Sequence, residues 1–268
     1  MDKKPFFIVF EGIDGSGKGT QAKKLVSDIK NGEFPRLANV PVKLTMEPTN
    51  GMTGKLIRKY LIKEKIVTKE QRALLFAADR LEHLYKTVFP ILNKNGTVIS
   101  ERYIYSTLAY QSCEDIKLDW SYNLYQDTIP FFDWLCVINQ FAIPPDLTIL
   151  LDVDPHKSLS RFKSDSGNKK RKWDKQEYFE KGSFLLEKIR EKYLEIFEAK
   201  IKSSRSYGFF DTNFVIIDAS KDQEEVYKRI KEHVNALLKG EYPEKSKKYL
   251  PEQKYIKKYI QGTLPILF

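Results

Sequence analysis

The sequence predicts an α/β fold: a doubly wound parallel sheet of five strands with helices on both faces. Three observations carry that expectation. Residues 6–10 are an unbroken apolar run and residues 147–151 an apolar run broken only by Thr148, both of strand length, the pattern of central strands covered on both faces. Strand-like and helix-like patterns alternate along the chain, which favours crossover connections over hairpins. A glycine-rich turn, Gly12-Ile13-Asp14-Gly15-Ser16-Gly17-Lys18-Gly19-Thr20, joins the first apolar run to a helical pattern.

The first strand ends at Glu11, and a helix over residues 18–29 stops where Asn31-Gly32 and Pro35 break its spacing. Residues 42–46 form a second strand closed by Glu47-Pro48, after which helical spacing returns through Leu56, Ile57, Tyr60 and Leu61. Thr68, with Glu70 and Gln71 behind it, starts a longer helix carrying Leu74, Ala78, Leu81 and Leu84, and Pro90 is expected to kink it. Asn95-Gly96 turns the chain into a third strand, residues 97–100, which delivers Glu101-Arg102-Tyr103 at the edge where open α/β sheets bind ligands. Helices are expected over 106–111 and 120–140, the second rich in aromatics that read as packing. The fourth strand, 147–151, is closed by Asp152, and Asp154-Pro155 opens a short helix to about residue 163. A polar, mobile loop over 164–172, a long helix over 175–202, a fifth strand over 214–217 and a last helix over 223–238 complete the pattern.

A chain of 268 residues, 41% hydrophobic, suits one globular unit with an added segment. Its net charge of +10, from 46 basic and 36 acidic residues, favours an anionic partner such as a nucleotide, nucleic acid or a membrane face. Cys113 and Cys136 lack metal-ligand spacing, and His83, His156 and His233 are scattered, so a reduced, cytoplasmic protein is the expectation. No apolar run approaches the roughly 18 residues a membrane span needs, and the apolar run after Pro5 is too short for a signal segment.

The glycine-rich turn reads as a P-loop. Its glycines (Gly12, Gly15, Gly17) let main-chain N–H groups face inward, and the helix that starts at Lys18 adds its positive end, so a polyphosphate such as that of ATP can bind along residues 12–20, Ser16 included. Lys18 supplies a full charge. The usual pattern places Ser or Thr directly after the lysine to hold Mg²⁺, whereas here that position is Gly19; Thr20, one residue on, or water is left to complete the ion's shell.

A second constellation names the acceptor. Phe10-Glu11-Gly12-Ile13-Asp14-Gly15-Ser16-Gly17-Lys18, Glu47-Pro48 with Arg58, Leu74-Leu75-Phe76-Ala77-Ala78-Asp79-Arg80, Ser100-Glu101-Arg102-Tyr103, Ala109-Tyr110-Gln111 and Pro145-Asp146-Leu147-Thr148-Ile149-Leu150-Leu151-Asp152 stand in an order and spacing that resembles the thymidylate kinase family, over about residues 6–238. The resemblance implies phosphorylation of dTMP by ATP with Mg²⁺, in a cytoplasmic homodimer. It places Phe76 on the thymine ring, with Arg80 bonding the base one helical turn along. It places Arg102 on the acceptor phosphate, Asp14 on the 3′-hydroxyl, and Ser106, Thr107 and Tyr110 along the sugar, Tyr110 filling the space of a 2′-hydroxyl. Glu47, Arg58 and Glu180 fall on the acceptor side, and Tyr193 keeps the spacing of a helical tyrosine. Glu101 stands where the family usually has Asp, with a role toward Mg²⁺; Thr107 stands for a frequent Asn, and Met46 for a frequent Arg. Some relatives carry a transfer-assisting arginine at the position of Gly15, so a lid at about 163–174 must supply that charge, from Arg161, Lys163 or the Lys169-Lys170-Arg171-Lys172 run.

Two other functions remain open on the residues: a deoxynucleoside kinase, whose relatives also carry Glu-Arg after the third strand, and a nucleotide-binding regulator without transfer, suggested by Gly19, Met46 and Glu101. Beyond residue 238 the resemblance stops. The basic, tyrosine-containing extension 239–268 reads as an arm packed on its own domain or on a second subunit, ahead of a nucleic-acid or membrane contact.

Overall fold

In the computed structural model, which describes residues 4–62, 68–113, 130–165, 175–198 and 207–242, a parallel sheet forms the middle layer. Its strands are β1 (Phe6–Glu11), β2 (Val42–Met46), β3 (Thr97–Glu101), β4 (Leu147–Asp152) and β5 (Asn213–Asp218), in the spatial order β2-β3-β1-β4-β5. Every side chain of β1 is buried, as are the first four of β3 and the first five of β4, while β2 and β5 are partly exposed as edge strands are. Register runs through Ile8↔Ile99 and Phe10↔Glu101 on one side of β1 and Val9↔Thr148 on the other.

Around the sheet lie α1 (Lys18–Lys30), α2 (Met52–Ile62), α3 (Lys69–His83), α4 (Phe89–Leu92), α5 (Ile104–Ser112), α6 (Phe131–Ile138), α7 (Pro155–Asp165), α8 (Lys175–Phe197) and α9 (Gln223–Lys239). α1 and α9 touch each other and the sheet, while α8 lies over β4 and β5 and packs on α5, which in turn meets α3 and α6. Sequence chemistry sets the helix ends. Thr68 Oγ1 accepts from the Gln71 N–H at 3.1 Å and the Gln71 side chain accepts from the Thr68 N–H at 3.0 Å, a reciprocal cap on α3. Asp222 accepts from the N–H groups of Glu224 and Glu225 at 2.9 Å, and Gly240, at φ 78°, closes α9.

The expected long helix through Pro90 is resolved differently. After His83 the chain widens into a π-helical stretch, Leu84–Val88, before α4, which has Pro90 in its first turn. A proline lacks the N–H that an α-helical turn needs and crowds the preceding carbonyl, and a local change of winding meets both constraints. The expected helix over 120–140 is described from Pro130, which stands at the N-cap of α6; the part before it, and residues 199–206 at the end of the expected long helix, lie outside the described residues.

Because the chain leaves β1 first toward β2 and β3 and later crosses to β4 and β5, the carboxyl end of β1 is the point where the strand order reverses. A carboxylate stands at or one residue past the end of each strand there: Glu11, Glu47, Glu101, Asp152 and Asp218.

Candidate active site

The loop between β1 and α1 is shaped for an anion. Gly17 caps α1 in the left-handed region at φ 93°, no side chain caps the helix, and its first turn holds no acidic residue, so the positive end stays open to a ligand. Gly15 is also left-handed, at φ 77°, and a Cβ there would stand 2.5 Å from the Ser158 carbonyl oxygen of α7. Ser158 Oγ donates to the Asp14 carbonyl, tying the start of α7 to the loop. Lys18 is buried, and its ammonium donates to the Ile13 carbonyl at 2.7 Å and to Ser16 Oγ at 3.4 Å. Burial first, and the Arg102 cation second, push the Lys18 pKa down to about 7 against the carboxylates of Asp14, Glu101 and Glu11.

Arg102 follows β3 in a left-handed conformation, φ 69°, that a non-glycine residue rarely adopts. Its backbone is held on both sides: its N–H donates to the Phe10 carbonyl at 2.9 Å, and its carbonyl accepts from Ser100 Oγ at 2.8 Å. The guanidinium donates to Ser106 Oγ and to the Tyr110 hydroxyl, each at 3.0 Å, and to the Asp14 carboxylate, and it lies 4.8 Å from the centre of the Tyr110 ring. Three residues that the resemblance places on the acceptor, Asp14, Ser106 and Tyr110, therefore meet on one arginine.

Behind this cluster sits a residue to which the sequence reading assigned no role. Glu11, fully buried, accepts from the Tyr103 N–H at 2.8 Å, from Ser106 Oγ at 2.6 Å and from the Tyr193 hydroxyl at 2.9 Å. Burial raises its pKa, against the Ser106 bond, the Arg102 charge and the Tyr193 bond. Its signal was available, since an acidic residue closing a fully apolar central strand needs partners.

A second buried arginine stands on α3. Arg80 donates through Nη2 to Glu47 at 2.8 Å and to Thr107 Oγ1 at 2.9 Å, and through Nη1 to Asn139 Oδ1, while its Nε finds no acceptor among the described residues. The other Glu47 oxygen meets His83 Nδ1 at 2.9 Å, and His83 Nε2 meets Thr45 Oγ1 at 2.8 Å. Phe76, one turn before Arg80, is half-buried. Arg58 turns its Nη groups onto the loop after β2, donating to the carbonyls of Pro48 at 2.8 Å and Gly54 at 3.1 Å, to Asn50 Oδ1 at 3.0 Å and to the Thr49 carbonyl, so it orders the segment that carries Glu47. Asn139 and His83, which complete this network, carried no signal in the sequence.

On the donor side, Arg161 Nη2 reaches the Lys221 carbonyl at 3.4 Å, Thr20 is exposed, and Asp152 is held by Arg190 in a two-pronged ion pair at 2.6 and 2.8 Å. The side chains of Lys163 and Glu180, and all of Arg171 and the 169–172 run, lie outside the described residues, as does residue 243 onward. No helix among the described residues is long and apolar enough to cross a membrane.

A P-loop at the switch point of a five-stranded parallel sheet, faced by an arginine on the adjoining strand, defines a P-loop phosphotransferase fold. The thymidylate kinase family model matches residues 10–230. A protein of Pyrococcus abyssi described as a probable thymidylate kinase is 38% identical over 241 residues, covering 88% of this chain and 97% of that one. Proteins of the same description from Thermococcus kodakarensis and Methanococcus maripaludis are 37% and 40% identical, over 87% of this chain and 98% and 94% of theirs. The chain belongs to the thymidylate kinase family.

Proposed function

We propose that the protein transfers the γ-phosphoryl group of ATP to the phosphate of dTMP, giving ADP and dTDP. The observation that carries this reading is the convergence of Lys18 and Arg102: Asp14 bonds the Arg102 fork, and the charges of both Asp14 and Arg102 act on the Lys18 ammonium. An ATP tail on the loop amides and an acceptor phosphate on the Arg102 fork then face each other across the crevice above β1 and β3.

The residues of this chain divide the work. Gly12, Gly15, Ser16, Gly17, Gly19 and Thr20 form the donor cradle, and Lys18, whose burial lowers its pKa to about 7 in the empty site, is drawn toward its charged form when the phosphates arrive. Arg102 orients the acceptor phosphate and offsets charge as the group moves, with Asp14, Ser106 and Tyr110 fixing the fork. Arg80, locked by Glu47, Thr107 and Asn139, follows Phe76 by one turn of α3, the two residues this reading assigns to the base, and Arg58 steadies the Glu47 loop. Glu180 belongs to the acceptor side, and Arg161, Lys163 and Arg171 supply lid charge. The oxygen donors Glu101 and Thr20, at the end of β3 and the head of α1, suit Mg²⁺, which when bound would draw charge from the transferring group. In the same reading the enzyme works in the cytoplasm as a homodimer, and Met52 and Leu56 of α2 and Leu74 of α3 are exposed apolar side chains available to a partner surface.

ADP release measured over dTMP, dUMP, UMP and thymidine tests the reading. Turnover led by dTMP is expected. Turnover with thymidine in its place would assign a nucleoside kinase, and nucleotide binding without ADP release from any acceptor would assign a regulator.

A further inference from the structure

Among the described residues, four of the five carboxylates at the sheet's carboxyl edge are engaged by neighbours. Glu11 holds Tyr103, Ser106 and Tyr193; Glu47 holds Arg80 and His83; Asp152 holds Arg190; and Asp218 accepts from the Ser220 N–H at 2.8 Å. Glu101 is the exception. Its carboxylate has neither a hydrogen-bond nor an ion-pair partner among the described residues, and the contact that defines its place is with a position that has no side chain. A Cβ built on Gly19 would stand 2.8 Å from Glu101 Oε2, closer than such atoms approach. The carboxylate thus lies over the first turn of α1, where a residue with a hydroxyl would otherwise begin.

Both departures from the usual pattern noted in the sequence meet at this contact. A P-loop normally carries Ser or Thr after its lysine, and the strand beyond normally ends in the shorter Asp. Here the hydroxyl is absent and the carboxylate reaches one methylene farther. A divalent cation on bound phosphates needs an oxygen ligand from the protein, and a carboxylate serves it at least as well as a hydroxyl because it brings a full charge. Thr20, the other oxygen donor nearby, is exposed.

We propose that Gly19 and Glu101 are one functional unit, in which the Glu101 carboxylate takes over, through the space left by Gly19, the Mg²⁺-holding role of the missing P-loop hydroxyl. This rests on the ATP-binding reading above and concerns which side chain meets the ion. Neither member suffices alone. Glu101→Asp withdraws the oxygen by one methylene and leaves only the exposed Thr20 nearby, and Gly19→Thr restores a hydroxyl but forces the carboxylate aside. The pair Gly19→Thr with Glu101→Asp rebuilds the usual arrangement.

The test is a Mn²⁺ titration followed by electron paramagnetic resonance, in the presence of a non-hydrolysable ATP analogue, with binding of the metal-free analogue measured in parallel. Glu101→Asp and Glu101→Ala are expected to weaken Mn²⁺ on the order of tenfold or more, the range seen when groups that set a metal site are removed. Metal-free analogue binding should stay within about threefold, since the loop amides and Lys18 are untouched. The double variant should recover Mn²⁺ affinity to within about threefold of the parent, a non-additivity that independent sites do not show. Unchanged Mn²⁺ affinity in Glu101→Asp, strictly additive losses in the double variant, or a larger loss in Thr20→Ala than in Glu101→Asp each overturns the pairing while leaving the kinase reading intact. Failure of the parent protein to bind the analogue at all overturns both.

Discussion

Arg80 and Glu47 form an ion pair at 2.8 Å in which neither side chain is more than 3% exposed. Buried charges of this kind stand only while each has its partner, because a lone ion in the interior keeps its desolvation cost without compensation. Glu47→Ala is therefore expected to destabilise the protein by about 3–5 kcal/mol, the range for breaking a buried pair from one side. Glu47→Gln, which keeps an oxygen for Arg80, should lose clearly less. Urea unfolding measures both, and a Glu47→Ala loss below about 1 kcal/mol, the size of an exposed pair, would contradict the network.

Arg102→Ala should lower the rate of ADP release with dTMP by at least about a thousandfold, the scale of a cation that neutralises a transferring phosphoryl group. Affinity for ATP alone should change by less than about threefold, since the loop amides bind it. Arg102→Lys should rescue little, because one ammonium cannot replace a fork that bonds Asp14, Ser106 and Tyr110 together. Near-parental turnover in either variant refutes the assignment.

Lys18 gives a pH-dependent signature. With its pKa at about 7 in the folded, empty protein, it has lost at pH 8 a proton that an unfolded lysine keeps, so its contribution to stability grows as pH rises from about 7 toward 10. A polyphosphate reverses the preference and draws the proton back. Binding of an ATP analogue should take up more of a proton at this group at pH 8, above its pKa of about 7, than at pH 6, where the group is already mostly charged. Calorimetric titration in buffers of different ionisation enthalpy reads the difference, and an uptake at pH 8 no greater than that at pH 6 would show that Lys18 is not neutral in the empty site.

A purely structural control lies far along the chain. Asp222→Ala removes the side-chain acceptor that caps α9 and should cost about 1 kcal/mol, while Asp222→Asn is nearly neutral. Turnover per folded molecule should not change, and thermal unfolding beside an ADP-release assay separates the two readouts.

The fold was legible because its signals are local. The runs beginning at Phe6 and Leu147 are too short and too apolar for anything but covered strands, and the loop from Gly12 to Thr20 carries its meaning within nine residues. Pro90 announced a disturbance but not its form, since a kink and a π-helical stretch both answer a missing N–H. Much of the site's second layer was out of reach for the opposite reason. Asn139 meets Arg80 across 59 positions of sequence and Ser158 meets Asp14 across 144, and neither residue type advertises such a contact. Glu101 and Gly19 were each visible as departures, yet their compensation appears only when β3 and α1 are set side by side.

The crowding of Gly15 by Ser158 reaches beyond this one molecule. With a carbonyl oxygen 2.5 Å from where a side chain would have to start, and a left-handed backbone besides, the loop has no room for an arginine finger of its own. Grafting one there would demand that the opening turn of α7 be rebuilt in the same step. A designer, or a lineage, starting from this chain meets a barrier to placing a transfer-assisting charge in the loop, and a substitution at Gly15 alone does not cross it.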